Sequence, residues 1–220
     1  MTTDAPPFSR EHRISRFQWL VFAMSFGIIL LDGFDTGAIG FIAPSLLTEW
    51  DLQRAALAPV LSAALLGIAF GAFLTGPIAD RFGRRGPLIV STLLFGLAAC
   101  GSAFARDLTE LTILRFLTGV GLGAALPNAV TMVSEFSPES RRSTLTNLMN
   151  CAFPLGTAFG GFLAASLIPH FGWRSVLMVG GGASTALCLV IRNDARVRAI
   201  HGGDGLPIRQ NSRRNQECRS

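Results

Sequence analysis

The chain has 220 residues, half of them hydrophobic and only 15% charged, with 24 glycines, a net charge of +5 and a mean hydropathy of +0.45. A charged fraction well below the roughly 25% of soluble domains excludes an ordinary water-soluble fold and places the chain among membrane proteins. All 19 basic residues are arginine, and where they fall accounts for the net charge through topology, so nothing calls for nucleic acid.

Residues 1–16 form a polar N-tail with Arg10, Arg13 and Arg16. Basic residues ahead of an apolar run raise the alternative of a cleaved signal peptide. Against it, a signal's apolar region is about 7 to 15 residues long, whereas here a longer run is interrupted by Asp32 and Asp35. Apolar stretches then run over 17–42, 55–79, 87–105, 111–133, 145–169 and 175–191. Each is about 17 to 26 residues, against the roughly 20 helical residues that cross a hydrocarbon core of about 30 Å. The expectation is an all-α membrane protein with six transmembrane helices across residues 17–191, the last marginally short.

Arginines alternate in density between the turns. Arg81, Arg84 and Arg85 follow the second span and Arg141 and Arg142 the fourth, while the opposite turns carry one each, Arg54, Arg106 and Arg174. The positive-inside rule therefore puts both termini in the cytoplasm, and the expected location is the cytoplasmic (inner) membrane. Trp19, Trp50 and Trp173 fall near span ends, where amphipathic rings settle.

The first span carries the sharpest signal. Asp32 and Asp35 stand i and i+3 on one helix face, deep in an apolar run. A carboxylate there costs about 2.5 to 3.5 kcal/mol on insertion scales, so both are expected to face a bundle interior and a partner. A proton or solute pathway is the functional reading, and a buried structural hydrogen-bond site is the alternative. Arg115 in the fourth span offers a partner. At 1.5 Å per residue the acids lie about 21 to 25 Å in from Gln18, and Arg115 lies about 20 Å from that same face. A contact of either acid with Arg115 is allowed, and an apolar surround would drive each charge toward the other.

Between spans two and three the chain reads Gly76-Pro-Ile-Ala-Asp80-Arg81-Phe-Gly83-Arg84-Arg85. Gly76 and Gly83 suit close helix approach and a tight turn, and Asp80 can accept from a neighbouring helix N-terminus and its arginines. The fourth span reads Arg115-Phe-Leu-Thr-Gly119-Val-Gly121-Leu-Gly123. Those glycines imitate a dinucleotide fingerprint, but no strand precedes them and they lie mid-span, so close helix packing is the reading. Gly67 with Gly71, and Gly156 with Gly160, repeat the spacing.

These two motifs resemble the G-x-x-x-D-R-x-G-R-R/K loop and the R-x-x-x-G-x-G element of the major facilitator superfamily. Asp32-Gly-Phe-Asp35 followed by Gly40 and Pro44 is similar to the first helix of its aromatic acid:proton symporters, the carriers of 4-hydroxybenzoate and benzoate. Glu135-Phe-Ser-Pro-Glu-Ser-Arg141-Arg142 resembles their element between helices four and five. The resemblance implies the N-terminal six-helix half of a twelve-helix carrier, with protons and an aromatic carboxylate as partners. It implies that Asp32 or Asp35 takes the proton and that Arg115 neutralises the anionic substrate or an aspartate. Substrate sites of such carriers lie between the halves, so a single half implies a truncated carrier, or alternatively a non-transporting fragment or a protein that associates with other carriers.

No enzyme is indicated, because no nucleophile, base and orienting group occur at a useful spacing outside the membrane. Cys100, Cys151, Cys188 and Cys218 form no framework, and with His12, His170 and His201 scattered no metal or cofactor is expected. Asn147 and Asn150 are weak polar candidates in the fifth span, with interhelical hydrogen bonding as the alternative. Residues 192–220 hold seven arginines and no useful apolar run. They read as a basic, disordered tail, one that either binds anionic lipid or, with the sixth helix cut short at Gly180–Gly182, resembles out-of-frame translation.

Overall fold

The computed structural model describes residues 16–83, 85–137 and 141–201, and their regular structure is helical throughout. The helices are α1 (Arg16–Glu49), α2 (Ala58–Phe82), α3 (Arg85–Ser102), α4 (Leu108–Phe136), α5 (Arg142–Asn150), α6 (Ala152–Phe171) and α7 (Trp173–His201), with a 3-10 turn at Arg54–Leu57. They make the six expected spans: five are long and apolar enough to cross a membrane outright, and α3 is a shorter apolar helix.

Two boundaries differ from expectation. The fifth span is two helices, α5 and α6, jointed at Cys151. Pro154 has no N–H for the carbonyl of Asn150 and its ring crowds that group, and Asn150 is where α5 ends. The sixth span is not cut short at Gly180–Gly182, since α7 continues through all three glycines. A methyl on Gly181 would strike the main chain of Cys100, and one on Gly180 would meet the Phe34 ring 2.6 Å away. Those glycines admit α3 and α1 to close contact with α7. The helix also runs past Ile191 to His201, because helical hydrogen bonding propagates residue by residue whatever the side-chain hydropathy. Ile191 thus marks the end of the apolar run and not of the helix; the expected tail from 202 onward, Cys218 included, lies outside the described residues.

Packing is organised in pairs, α2 along α4 and α1 along α6, with α3 bridging α4 to α7. Glycines set the α2–α4 approach. A methyl on Gly67, Gly71, Gly119 or Gly123 would strike a main-chain carbonyl of the opposite helix, the backbone contact that small residues at this spacing permit in membranes. Gly121 faces α3 instead, against Ser91 and Phe95. Two apolar clusters stack along the bundle. One holds Phe34, Ile42, Leu46, Val60, Leu111 and Trp173, the other Val21, Phe22, Ile28, Val133 and Met149. The clusters meet along α1 between Ile29 and Phe34, the stretch that holds Asp32 and ends one residue before Asp35. Outward, α2 exposes Leu65, Leu66, Phe70 and Phe73, and α6 exposes Phe159 and Phe162.

Candidate functional site

Helix α4 begins at a defined cap. The Asp107 carboxylate accepts from the Glu110 N–H at 2.7 Å, and the Glu110 carboxylate accepts from the Arg106 N–H at 2.9 Å. Such a cap fixes the first turn, and eight residues later, about 12 Å at the helical rise, it delivers Arg115 to the middle of the bundle. Arg115 is 1% exposed. Its Nη1 donates to Asp35 Oδ2 at 2.7 Å, an ion pair joining α4 to α1 with both side chains buried.

The two acids therefore differ. Asp35 is the counter-ion of Arg115. Asp32, equally buried, faces no cation among the described residues and accepts only from the Thr36 hydroxyl, at a long 3.4 Å. Thr36 sits one turn after Asp32, at the i+4 spacing that would have picked it out of the sequence.

Arg115 is also incompletely satisfied. Its Nε and Nη2 are buried with no hydrogen-bond partner. Leaving buried donors unpaired costs about 1–3 kcal/mol each. The two N–H groups share one edge of the planar guanidinium, the edge that takes both oxygens of a carboxylate side by side. Arg115 also lines a cavity of about 300 Å³, with Asp35, Thr36, Ile39, Ile68 and Thr118 among the others. That volume lies at the lower limit for small-molecule sites. The site thus brings together a buried arginine with two unpaired donors, a largely apolar cavity that this arginine lines, and a nearby acid that no cation among the described residues holds.

The other expected residues lie apart. Gly83 has a φ of +82° and makes the tight turn after α2. Gly76 does not bring helices together: nothing lies within 4 Å of where its Cβ would be. Asp80 is exposed and makes no contact with a helix N-terminus or arginine among the described residues, since a carboxylate in water gains little from such a pair. Arg81 is exposed beside it; Arg84 lies outside the described residues, and of Arg85 only the backbone, opening α3, is described. Glu135 and Arg141 are both engaged, and Arg142 is exposed at the start of α5. Asn147 and Asn150 are exposed and away from the pair.

One cluster has no counterpart in the sequence reading. Trp173, at the span end where α7 begins, is buried, and its Nε1 donates to Glu49 Oε2 at 2.6 Å. Glu49 Oε1 takes Arg174 Nη1 at 2.9 Å, and Trp50 meets the Trp173 ring edge to face. These contacts tie the end of α1 to the start of α7 across 124 residues.

The model of the Major Facilitator Superfamily matches residues 25–207. The chain is 50% identical over 188 residues to the 4-hydroxybenzoate transporter PcaK of Pseudomonas putida, a match that covers 86% of this chain and 42% of that protein. It is 48% identical over 184 residues to the gallate transporter of the same organism, covering 84% and 41%. Among solved structures, the inward-open xylose transporter XylE of E. coli superposes with a TM-score of 0.67 at 22% identity, over 84% of this chain and 53% of that one. This last match speaks to fold alone. The chain spans about two fifths of the length of the curated relatives it matches.

Proposed function

The chain belongs to the Major Facilitator Superfamily, and we propose that its residues work as the N-terminal six-helix half of a proton-coupled uptake carrier for aromatic carboxylates. The observation that carries this reading is Arg115 itself, a buried cation that lines a cavity and keeps two unpaired donors while Nη1 stays on Asp35. An incoming carboxylate satisfies both donors without displacing Asp35, so substrate binding removes a cost already present in the free site. The names of the relatives, transporters of 4-hydroxybenzoate and of gallate, support an aromatic ring on that carboxylate.

Asp32 is the proton carrier in this scheme, because it gains or loses a proton without breaking the Arg115 pair. One proton accompanying one monoanion moves no net charge. Accumulation then follows the pH difference, about tenfold per pH unit at about 1.36 kcal/mol each. The arginine bias supports placing both termini on the cytoplasmic side of the inner membrane. No step calls for a cofactor or an enzymatic reaction. Carriers of this kind alternate access by moving one half against the other around a site at their interface, so residues 1–220 alone are proposed to insert without transporting.

The test joins residues 1–191 to the portion of the P. putida transporter beyond the match and expresses the product in cells lacking aromatic acid uptake. Labelled 4-hydroxybenzoate is expected to accumulate in proportion to the pH difference. Normal membrane levels without accumulation above vector would refute the reading, and proton-dependent uptake by the 220-residue chain alone would refute the need for a second half.

A further inference from the structure

We propose that Thr157 on α6 is a positioning residue for the acid pair: its hydroxyl fixes the segment of α1 that carries Asp32 and Asp35, and thereby the Asp35–Arg115 contact. The inference rests on the carrier reading for its consequence in transport, though not for the contact itself. Thr157 Oγ1 donates to the carbonyl of Gly33, between the two acids, at 2.8 Å, and more weakly at 3.2 Å to Phe153 in its own helix. A helical threonine ordinarily spends its hydroxyl on the carbonyl four residues back. Thr75, Thr92, Thr118 and Thr185 do so here. Thr157 alone among the described hydroxyls is seen to donate to another helix.

The bond sits where α1 and α6 touch main chain to main chain. A methyl on Gly33 would strike the Phe153 carbonyl, one on Gly156 would strike the Leu30 carbonyl, and one on Gly37 would come within 2.9 Å of Thr157 Cγ2. Such a glycine seam sets how close the helices lie, but smooth backbone surfaces permit sliding and rotation. A directional bond into the seam does not. Helix α6 carries no charged residue over 152–169, so the Thr157 hydroxyl is its polar link to the acid segment. Gly33 precedes Asp35 by two residues, and a small rotation of α1 would draw Asp35 Oδ2 off Arg115 Nη1, 2.7 Å away. The guanidinium would then turn from its present place in the cavity lining.

The test compares Thr157→Val, which keeps the branched shape and removes the donor, with Thr157→Ser, which keeps the donor. In the joined carrier, Thr157→Val is expected to raise the KM for 4-hydroxybenzoate about tenfold at equal membrane level, since misplacement of about 1 Å at a site costs up to about a hundredfold. Thr157→Ser is expected to restore the parent KM. A purely structural threonine would lower the amount of protein and leave KM unchanged, and that result overturns the proposal. An independent readout needs no transport. In the 220-residue chain in lipid nanodiscs, infrared difference spectra against Asp35→Asn isolate the Asp35 carboxylate band. Thr157→Val is expected to shift that band and Thr157→Ser to leave it in place; an unshifted band in Thr157→Val refutes the positioning role. If the unsubstituted joined carrier fails to transport, the carrier reading falls and the infrared result decides the role of Thr157.

Discussion

Removing both partners of the Asp35–Arg115 pair should cost less than the sum of removing each alone. The two side chains are 8% and 2% exposed and meet at 2.7 Å. Unit charges about 4 Å apart at an effective dielectric of about 20 interact by about 4 kcal/mol. Breaking a buried pair from one side typically costs about 3–5 kcal/mol, because the survivor is left buried and unpaired. Arg115 starts with two unsatisfied nitrogens, so Asp35→Asn leaves its full charge uncompensated, and we expect a loss of about 3–5 kcal/mol. Arg115→Met strands the Asp35 carboxylate and should cost about as much. The double variant has no stranded charge and should recover about 2–4 kcal/mol of the summed losses. The assay is reversible unfolding of the 220-residue chain in mixed micelles, followed by helical circular dichroism as a double-mutant cycle. Losses that simply add would refute direct pairing, as would a coupling energy for Asp32 with Arg115 equal to that of Asp35.

In the joined carrier, Asp32→Asn should abolish accumulation driven by a pH difference while leaving exchange of labelled for unlabelled 4-hydroxybenzoate, because an amide carries no proton yet the Arg115 edge persists; wild-type accumulation would exclude Asp32 as the carrier. Arg115→Lys should weaken apparent substrate affinity at least about tenfold in uptake assays, since an ammonium lacks the parallel donor edge; unchanged affinity would make the arginine structural only. Clamping the membrane potential with valinomycin and potassium should leave accumulation in proteoliposomes unchanged at fixed pH difference, and a strong dependence on potential would show more than one proton per anion. At the α1–α7 junction, Glu49→Ala orphans the buried Trp173 Nε1 and should destabilise the chain by about 1–3 kcal/mol. Arg174→Ala, whose side chain is 44% exposed, should cost less than about 1 kcal/mol in the same unfolding assay.

What the sequence made legible follows from rules that act locally or along one helix. Six apolar runs give six spans, and a constant rise per residue sets Arg115 level with the acids. The spacing of Gly67 with Gly71 and of Gly119 with Gly123 foretells the backbone contact that the structure shows. Features fixed by rotation or by distant partners were not legible. Gly76 shares its residue type with Gly83 but not its need for a positive φ, and no neighbour approaches it. Helix α7 passes through three glycines, with Phe34 and Cys100 filling the space beside Gly180 and Gly181. Sequence spacing leaves Asp32 and Asp35 equivalent, both level with one arginine. The choice between them depends on the rotation of α1 against α6, where the Thr157 hydroxyl donates to the Gly33 carbonyl within the close contact around Gly33 and Gly156. That rotation gives Asp35 the cation and leaves Asp32 with a single weak donor. The proposed carrier would draw on this inequality: were both acids tied to Arg115, releasing a proton would disturb the arginine in the same step, and were neither, Arg115 would stand as an uncompensated charge in hydrocarbon.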